Sequence, residues 1–282
     1  MRFLKEVKYI LKPRTRGYYR TLFYRDLPKS FIGKILILLF VILRNFLSYV
    51  TLPLDFRGRK RIIIASDKSV KDFDEALIYV YFGSMYKLVE IEIPQSSVCV
   101  DVGAHYGFWT LKMADNCGLI VALEPAPNNF AILYNSIKSS KVKNVIALPL
   151  AAGETFRRSF IVKREGEYDG MYHINNVTID VRESYPVRVV PLDKLLDFLF
   201  IKQVDVIKID VEGSELDVLR GLKSRLSKRL VNFIVLEVHS SSLLNECIKM
   251  LKMFGYEVKV FRITRNLYQM YAMIRESRCV GE

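Results

Sequence analysis

Two short segments concentrate the groups that do chemistry. The first, Asp101-Val102-Gly103-Ala104-His105-Tyr106-Gly107, closes an apolar run with an acid and two glycines. Parallel α/β sheets bind ligands at such strand ends. Gly103 permits a tight turn, and the reading is that this turn brings backbone N–H groups close to a ligand. Glu124, followed by Pro125, ends the next apolar run 21 residues after Gly103. A nucleotide-binding sheet places a ribose-binding acid there. The dinucleotide fingerprint fails, because His105 and Phe108 stand where its second and third glycines belong. A ligand with a ribose but no pyrophosphate suits this loop better, and S-adenosylmethionine is such a ligand.

The second segment is Asp205-Val206-Ile207-Lys208-Ile209-Asp210-Val211-Glu212-Gly213-Ser214-Glu215. On a strand, Lys208 and Asp210 share one face and Ile207 and Ile209 the other. Acids at the start of the following helix satisfy its free N–H groups, which is the plain reading of Glu215. Asp210, at the strand end, faces the ligand crevice. A further apolar run ends in Leu236-Glu237-Val238-His239. His239 is either a histidine held by its neighbours or a general base. Its titration near neutrality makes it the first choice of base, with Asp210 second. Nothing in the sequence requires a metal, although Asp210, Glu212 and Glu237 are able in principle to hold one.

These segments need elements to carry them. Strand signals fall at Ser97–Val102, Leu119–Glu124, Val145–Leu150, Val204–Asp210 and Val231–Val238. Helical patterns fall at Phe108–Cys117, Asn128–Lys138, Leu192–Phe200, Ser214–Leu222 and Ser240–Met253, the last with Gly255 just beyond its end. Such alternation predicts an α/β fold: a mostly parallel, Rossmann-like sheet with helices on both faces. Glu257–Ile263 and Tyr268–Ile274, around Arg265-Asn266, predict one antiparallel strand near the end. Residues 155–190 read as a β-rich insertion. Its strands are Arg157–Lys163, Val177–Arg182 and Val187–Val190, separated by Gly166, Gly170, Asn175 and Pro186.

The net charge of +13 suggests a nucleic-acid binder until it is located. Residues 1–61 hold 15 lysines and arginines against 3 acids, leaving 28 against 27 for the remainder. The basic character therefore belongs to an N-terminal arm, and the rest is nearly neutral. An apolar stretch follows within residues 31–54, interrupted by Arg44. A full span would set Arg44 at mid-bilayer, at a cost of roughly 2.5–3.5 kcal/mol. An interfacial or re-entrant helix, its arm drawn to anionic head groups, is preferred over burial or a true span. Residues 1–60 thus read as a basic arm with an apolar membrane-proximal helix, and 61–282 as the catalytic domain. Cys99, Cys117, Cys247 and Cys279 form no C-x-x-C pair. They read as reduced thiols in a cytoplasmic protein, placed at the cytoplasmic face of the membrane.

The chain resembles the FkbM family of methyltransferases over roughly residues 70–262. The resemblance rests on Val100-Asp101-Val102-Gly103-Ala104-His105-Tyr106-Gly107-Phe108, on Leu123-Glu124-Pro125 with Asn128, on Ile207 to Glu215, and on Leu236-Glu237-Val238-His239. The Lys208-Ile209-Asp210-Val211-Glu212-Gly213-Ser214-Glu215 block is its specific part. The resemblance implies a Rossmann-like methyltransferase fold, S-adenosyl-L-methionine as cofactor, and usually O-methylation of a hydroxyl, often on a sugar or secondary metabolite. Asp101, Gly103, Ala104, His105, Gly107, Glu124 and Pro125 are the candidate cofactor residues; His239 and Asp210 are the candidates for chemistry. The expected partner is a glycan, a lipid-linked acceptor or a small metabolite. RNA methylation through the basic arm, and a non-catalytic membrane-associated binding module, are the competing readings. The neutral catalytic part disfavours nucleic acid.

Overall fold

The computed structural model describes residues 49–56, 59–66, 93–164, 173–175 and 181–274. In chain order the strands begin with β1 (Tyr49–Phe56), β2 (Arg59–Ser66) and β3 (Val98–Val102). Helix α1 (Phe108–Met113), β4 (Leu119–Leu123), α2 (Pro127–Ser139), β5 (Val145–Leu148) and β6 (Ala151–Ala152) follow. Next come β7 (Arg157–Arg164), β8 (His173–Asn175), β9 (Val181–Val190), α3 (Leu192–Phe198) and β10 (Val204–Ile209). The chain closes with α4 (Glu215–Gly221), α5 (Lys223–Ser227), β11 (Val231–Val238), α6 (Ser241–Met253), β12 (Tyr256–Arg262) and β13 (Tyr268–Ile274).

Seven strands form the main sheet in the order β12-β13-β11-β10-β3-β4-β5. β13 is antiparallel to both β11 and β12, and the β3, β4, β5, β10 and β11 pairings are parallel. This is the expected α/β sheet with one antiparallel strand near the end. Its central strands β3, β4, β10 and β11 are buried on both faces, as parallel sheets are, while the edge strand β12 is largely exposed. Val100, Val102, Ile207, Ile209, Ile234 and Leu236 pack with Leu192, Leu219, Leu244 and Leu251 from helices on one face. Cys99, Val206, Phe233 and Val235 pack with Trp109 and Met113 on the other. Each fully buried leucine here stabilises the fold by roughly 1.5–3 kcal/mol. The chain runs outward from β3 through β4 to β5, then returns to lay β10 on the other side of β3. The strand order therefore reverses between β3 and β10, and their carboxyl ends open the ligand crevice.

The caps follow the residue types. Pro127 opens α2, where its missing N–H costs nothing. The Ser240 hydroxyl accepts a hydrogen bond from the Leu243 amide at 3.2 Å and caps α6.

The expected β-rich insertion forms a separate four-stranded sheet in the order β6-β9-β7-β8. Pro186 does not break it, contrary to the sequence reading, and pairs with Phe160 inside β9. On its other side β9 meets β6 only at Val189 and Val190, so the ladder can spare a donor at Pro186. Asn175 is likewise within β8, while Gly166, Gly170 and Val177 lie outside the described residues. Arg157 pairs with Asp217 of α4 at 2.6 Å, and the Glu154 amide donates to the same carboxylate at 3.0 Å. These contacts tie the small sheet to the helix that carries Glu215.

Three further expectations change. The apolar stretch was expected to remain helical to Leu54, but Tyr49–Phe56 is a strand antiparallel to β2, and the hairpin straddles the expected boundary at residue 60. Pro53 is excluded from a helix interior, and Tyr49, Val50 and Thr51 favour extended backbone. The arm and the apolar residues before Tyr49 lie outside the described residues. Among the described residues no helix is long and apolar enough to cross a membrane. Finally, Cys99 and Cys117, expected as thiols, are joined by a disulfide. Folding α1 back over β3 brings residues 18 apart in sequence to a Cα separation of 6.2 Å, a closure that no cysteine spacing motif announces. Cys247 is buried and unbonded.

Candidate active site at the switch point

The register of β3 and β10 sets Lys208 opposite Asp101. Both are buried, and Lys208 Nζ lies 3.2 Å from Asp101 Oδ1. The same ammonium donates to the Gly103 carbonyl at 2.6 Å and lies 3.6 Å from Asp210 Oδ2. Burial alone would lower the Lys208 pKa, but the charges of Asp101 and Asp210, with Glu237 farther off, raise it. A protonated lysine therefore fastens the glycine loop to the end of β10. The Thr110 hydroxyl donates to the other Asp101 oxygen at 2.6 Å. Asp101 is thus engaged on one oxygen by the Lys208 charge and on the other by the Thr110 hydroxyl, both from within the protein.

The glycine loop departs from its expected role. The amides of Gly103 and Ala104 donate to the Leu123 carbonyl at 3.0 and 2.9 Å, and the Gly107 amide donates to Ala104. The first two hold the loop against the end of β4, the third closes the loop on itself, and none faces a ligand. Gly103 matters instead for its shape. Its φ of +78° is left-handed, and a Cβ there would collide with the Asp210 carbonyl. Gly107, at φ +87°, is also left-handed, and a Cβ there would meet only the tip of the Leu133 side chain of α2, which can yield. His105, which is not glycine, also sits at φ 53°. Backbone strain of this kind clusters at ligand sites.

Glu124 is the centre of this half of the crevice. It is 5% exposed, so its carboxylate needs internal partners. Oε2 accepts from the His105 amide at 2.7 Å, and Oε1 from the Ala126 amide at 2.9 Å and from Asn129 at 3.5 Å. Burial pushes its pKa up to about 7, against the opposing pull of those donors and of Lys208. Burial also drives the His105 imidazole down to about 3, with the Asp210 charge opposing and Lys208 adding to the effect. His105 is therefore neutral. Pro125 lies beside this site and is half-buried.

Beyond Lys208 the character changes. His239, just past β11, places Nδ1 2.9 Å from Glu215 Oε1. Its Nε2 lies 3.3 Å from Glu212 Oε2 and 3.7 Å from Glu237 Oε1. Burial would lower the His239 pKa, but the Glu215 hydrogen bond and the charges of Glu212 and Asp210 lift it to about 10. An imidazole that holds its proton so firmly does not fit the general base foreseen for it. Of the two residues singled out for chemistry, Asp210 keeps a partly exposed carboxylate, 23% accessible. The sequence reading missed Thr110 and Asn129, which no motif marks. It also favoured a helix-start role for Glu215. Glu215 does accept from the Gly213 amide at 3.0 Å, and it buries itself against His239 as well.

The Methyltransferase FkbM domain family model matches residues 101–258, the stretch that holds every group described above. This chain belongs to the FkbM methyltransferase family. It is 29% identical over 162 residues to a protein of Beauveria bassiana named Methyltransferase 1, covering 50% of this chain and 65% of that one. It is 23% identical over 180 residues to the hexuronic acid methyltransferase AglP of Haloferax volcanii, covering 64% and 72% respectively. The crystal structure of precorrin-6y C5,15-methyltransferase from Geobacter metallireducens aligns at a TM-score of 0.44 and 16% identity, over 67% of this chain and 85% of that one. Family membership makes this a methyltransferase with S-adenosylmethionine as its cofactor. The residues present fit that cofactor. The loop is kept narrow by glycine at 103, and the buried Glu124 carboxylate is a ready acceptor for ribose hydroxyls.

Proposed function

We propose that this FkbM methyltransferase transfers the methyl group to a hydroxyl oxygen of a glycan, a lipid-linked acceptor or a small metabolite. The observation that carries the reading is the acidic cluster of Asp210, Glu212, Glu215 and Glu237 around His239, set across Lys208 from the Glu124 half of the crevice. Carboxylates at the mouth of a site orient a hydroxyl and accept its proton. The likeness to a hexuronic acid methyltransferase agrees with a sugar acceptor.

The cofactor supplies an electrophilic methyl group, and the protein supplies alignment. In this reading Glu124 binds the ribose, while Gly103, Ala104, His105, Gly107 and Pro125 shape the pocket. Asp210 receives the acceptor hydroxyl. Protonated His239 holds Glu212 and Glu215 in place. The accessory sheet, tied to α4 through Arg157 and Asp217, borders the acceptor side and sets its selectivity. Residues 31–54, apart from the strand that begins at Tyr49, are the segment proposed to hold the enzyme at the cytoplasmic face of a membrane, within reach of lipid-linked acceptors.

The deciding experiment is titration of S-adenosylmethionine into the purified chain, with Glu124→Ala as control. Labelled methyl transfer into membrane extracts and isolated glycans follows. Saturable binding that Glu124→Ala weakens, with label in a hydroxyl ether, supports the proposal. Label appearing in RNA, and lost on deletion of residues 1–30, would replace it.

A further inference from the structure

The acidic cluster has the makings of more than a hydroxyl cradle. Asp210, Glu212 and His239 each offer one ligand atom, and these atoms lie within 4.8 Å of one another. They come from different elements. Asp210 and Glu212 follow β10, and His239 follows β11, the neighbouring parallel strand. A divalent ion with bonds of about 2.0–2.3 Å sets adjacent ligands about 3 Å apart, so small side-chain movements complete such a site.

The histidine is oriented as a metal ligand requires. A ligating imidazole commits one ring nitrogen to a carboxylate and turns the other to the ion. Here Nδ1 is held by Glu215 at 2.9 Å, and Nε2 faces Glu212 at 3.3 Å and Glu237 at 3.7 Å. Glu215 is fully buried, and its second oxygen, Oε2, has no hydrogen-bond partner. A buried carboxylate with an unpartnered oxygen costs free energy unless positive charge offsets it. Among the described residues the His239 imidazolium offsets that charge through Oε1 alone, and Lys208 serves the other half of the crevice. Lys208 is closer to the Gly103 carbonyl, at 2.6 Å, and to Asp101, at 3.2 Å, than to Asp210, at 3.6 Å.

We propose that Asp210, Glu212 and His239 bind a divalent cation, with Glu215 orienting the imidazole from behind and Glu237 bordering the site. One imidazole with two carboxylates is a mixed nitrogen and oxygen shell that suits a first-row divalent ion such as Mn2+ rather than Mg2+, which prefers an all-oxygen shell. His239 exchanges its Nε2 proton for the ion on binding. The three residues are each partly exposed, which leaves coordination positions for water or for an acceptor oxygen. A hydroxyl held there becomes more acidic. Its O–H bond breaks and the proton passes to Glu237 and then to water; the oxygen's electron pair forms the O–CH3 bond as the S–CH3 bond of S-adenosylmethionine breaks, leaving that pair on the sulfur of S-adenosylhomocysteine. That role rests on the methyltransferase reading above; the binding site itself does not.

The test uses the full chain, stripped with a chelator and titrated with Mn2+ alone while the electron paramagnetic resonance signal of free Mn2+ is followed. The expected result is saturable uptake of about one ion, weakened about tenfold or more by Glu212→Gln and by His239→Gln. S-adenosylmethionine binding, measured on the same samples, should stay within about twofold and thereby show that the variants are folded. Mn2+ should also raise the wild-type melting temperature, reversibly on adding chelator. No saturable uptake, uptake indifferent to Glu212→Gln, or no melting shift overturns the site. Cofactor binding without Mn2+ uptake removes the metal and leaves the enzyme. Mn2+ uptake without cofactor binding removes the enzyme reading and leaves the site.

Discussion

The two halves of the crevice solve the problem of burying charge in opposite ways. At the ends of β3 and β4, Glu124 is satisfied by backbone amides at 2.7 and 2.9 Å, and the neighbouring His105 is neutral. At the ends of β10 and β11, carboxylates face an imidazole on both of its nitrogens. Amides are fixed in space by the fold and make a socket of constant shape. Side chains move and titrate, and make a site that changes with what enters it. Lys208 joins the two halves, reaching the Gly103 carbonyl, Asp101 and Asp210 at once.

The largest effect should come from cutting that joint. Lys208→Met leaves Asp101 buried without its counter-charge and is expected to cost about 3–5 kcal/mol of stability, read as a drop in urea midpoint. A midpoint unchanged from wild type would mean that the halves stand independently. Next, Glu124→Ala should weaken S-adenosylmethionine about tenfold to a hundredfold, the worth of hydrogen bonds to a charged group. Asp210→Asn should leave that affinity within about twofold while turnover falls. Equal losses of affinity from both variants would erase the distinction drawn here.

A smaller effect follows from pH. Free Glu124 has its pKa raised to about 7, and hydroxyl donors from a bound ribose favour the charged form and lower it. Below pH 7 binding must therefore expel a proton. Affinity should rise about tenfold at most between pH 6 and 8 and then level off. Glu124→Gln should flatten that profile; a slope that persists in the variant assigns the proton elsewhere. The smallest effect concerns the base of the cofactor half. Reduction of the unfolded chain should expose two additional thiols, from Cys99 and Cys117, with no more than about a twofold change in cofactor affinity of the reduced folded chain.

Much of this was legible along the chain. β11 lies at the expected residues, and β3, β4, β10 and α6 begin and end within a residue or two of expectation. Buried parallel strands write themselves as largely apolar runs, and Ser240 marks the start of α6 as its cap. The β1 strand was misread because a run of apolar residues fits a helix as well as a strand, and periodicity cannot separate them. The Pro53 signal carried the answer. The candidate residues were found for a related reason: strand ends in a parallel sheet are where ligands bind, so Asp101, Glu124, Asp210 and His239 stood out by position.

Sequence alone determined the α/β sheet, the family, the cofactor and the strand ends that line the crevice, since each is written in local pattern and spacing. Tertiary structure decided what those residues do. Only the β3–β10 register shows that Lys208 pairs with Asp101. Only the packing of the glycine loop on β4 shows that its amides are already taken. Only the approach of β11 to α4 shows His239 clamped among carboxylates, its proton held. Protonation, coordination and hydrogen-bond saturation depend on distances between residues far apart in the chain, and spacing along one strand does not encode them.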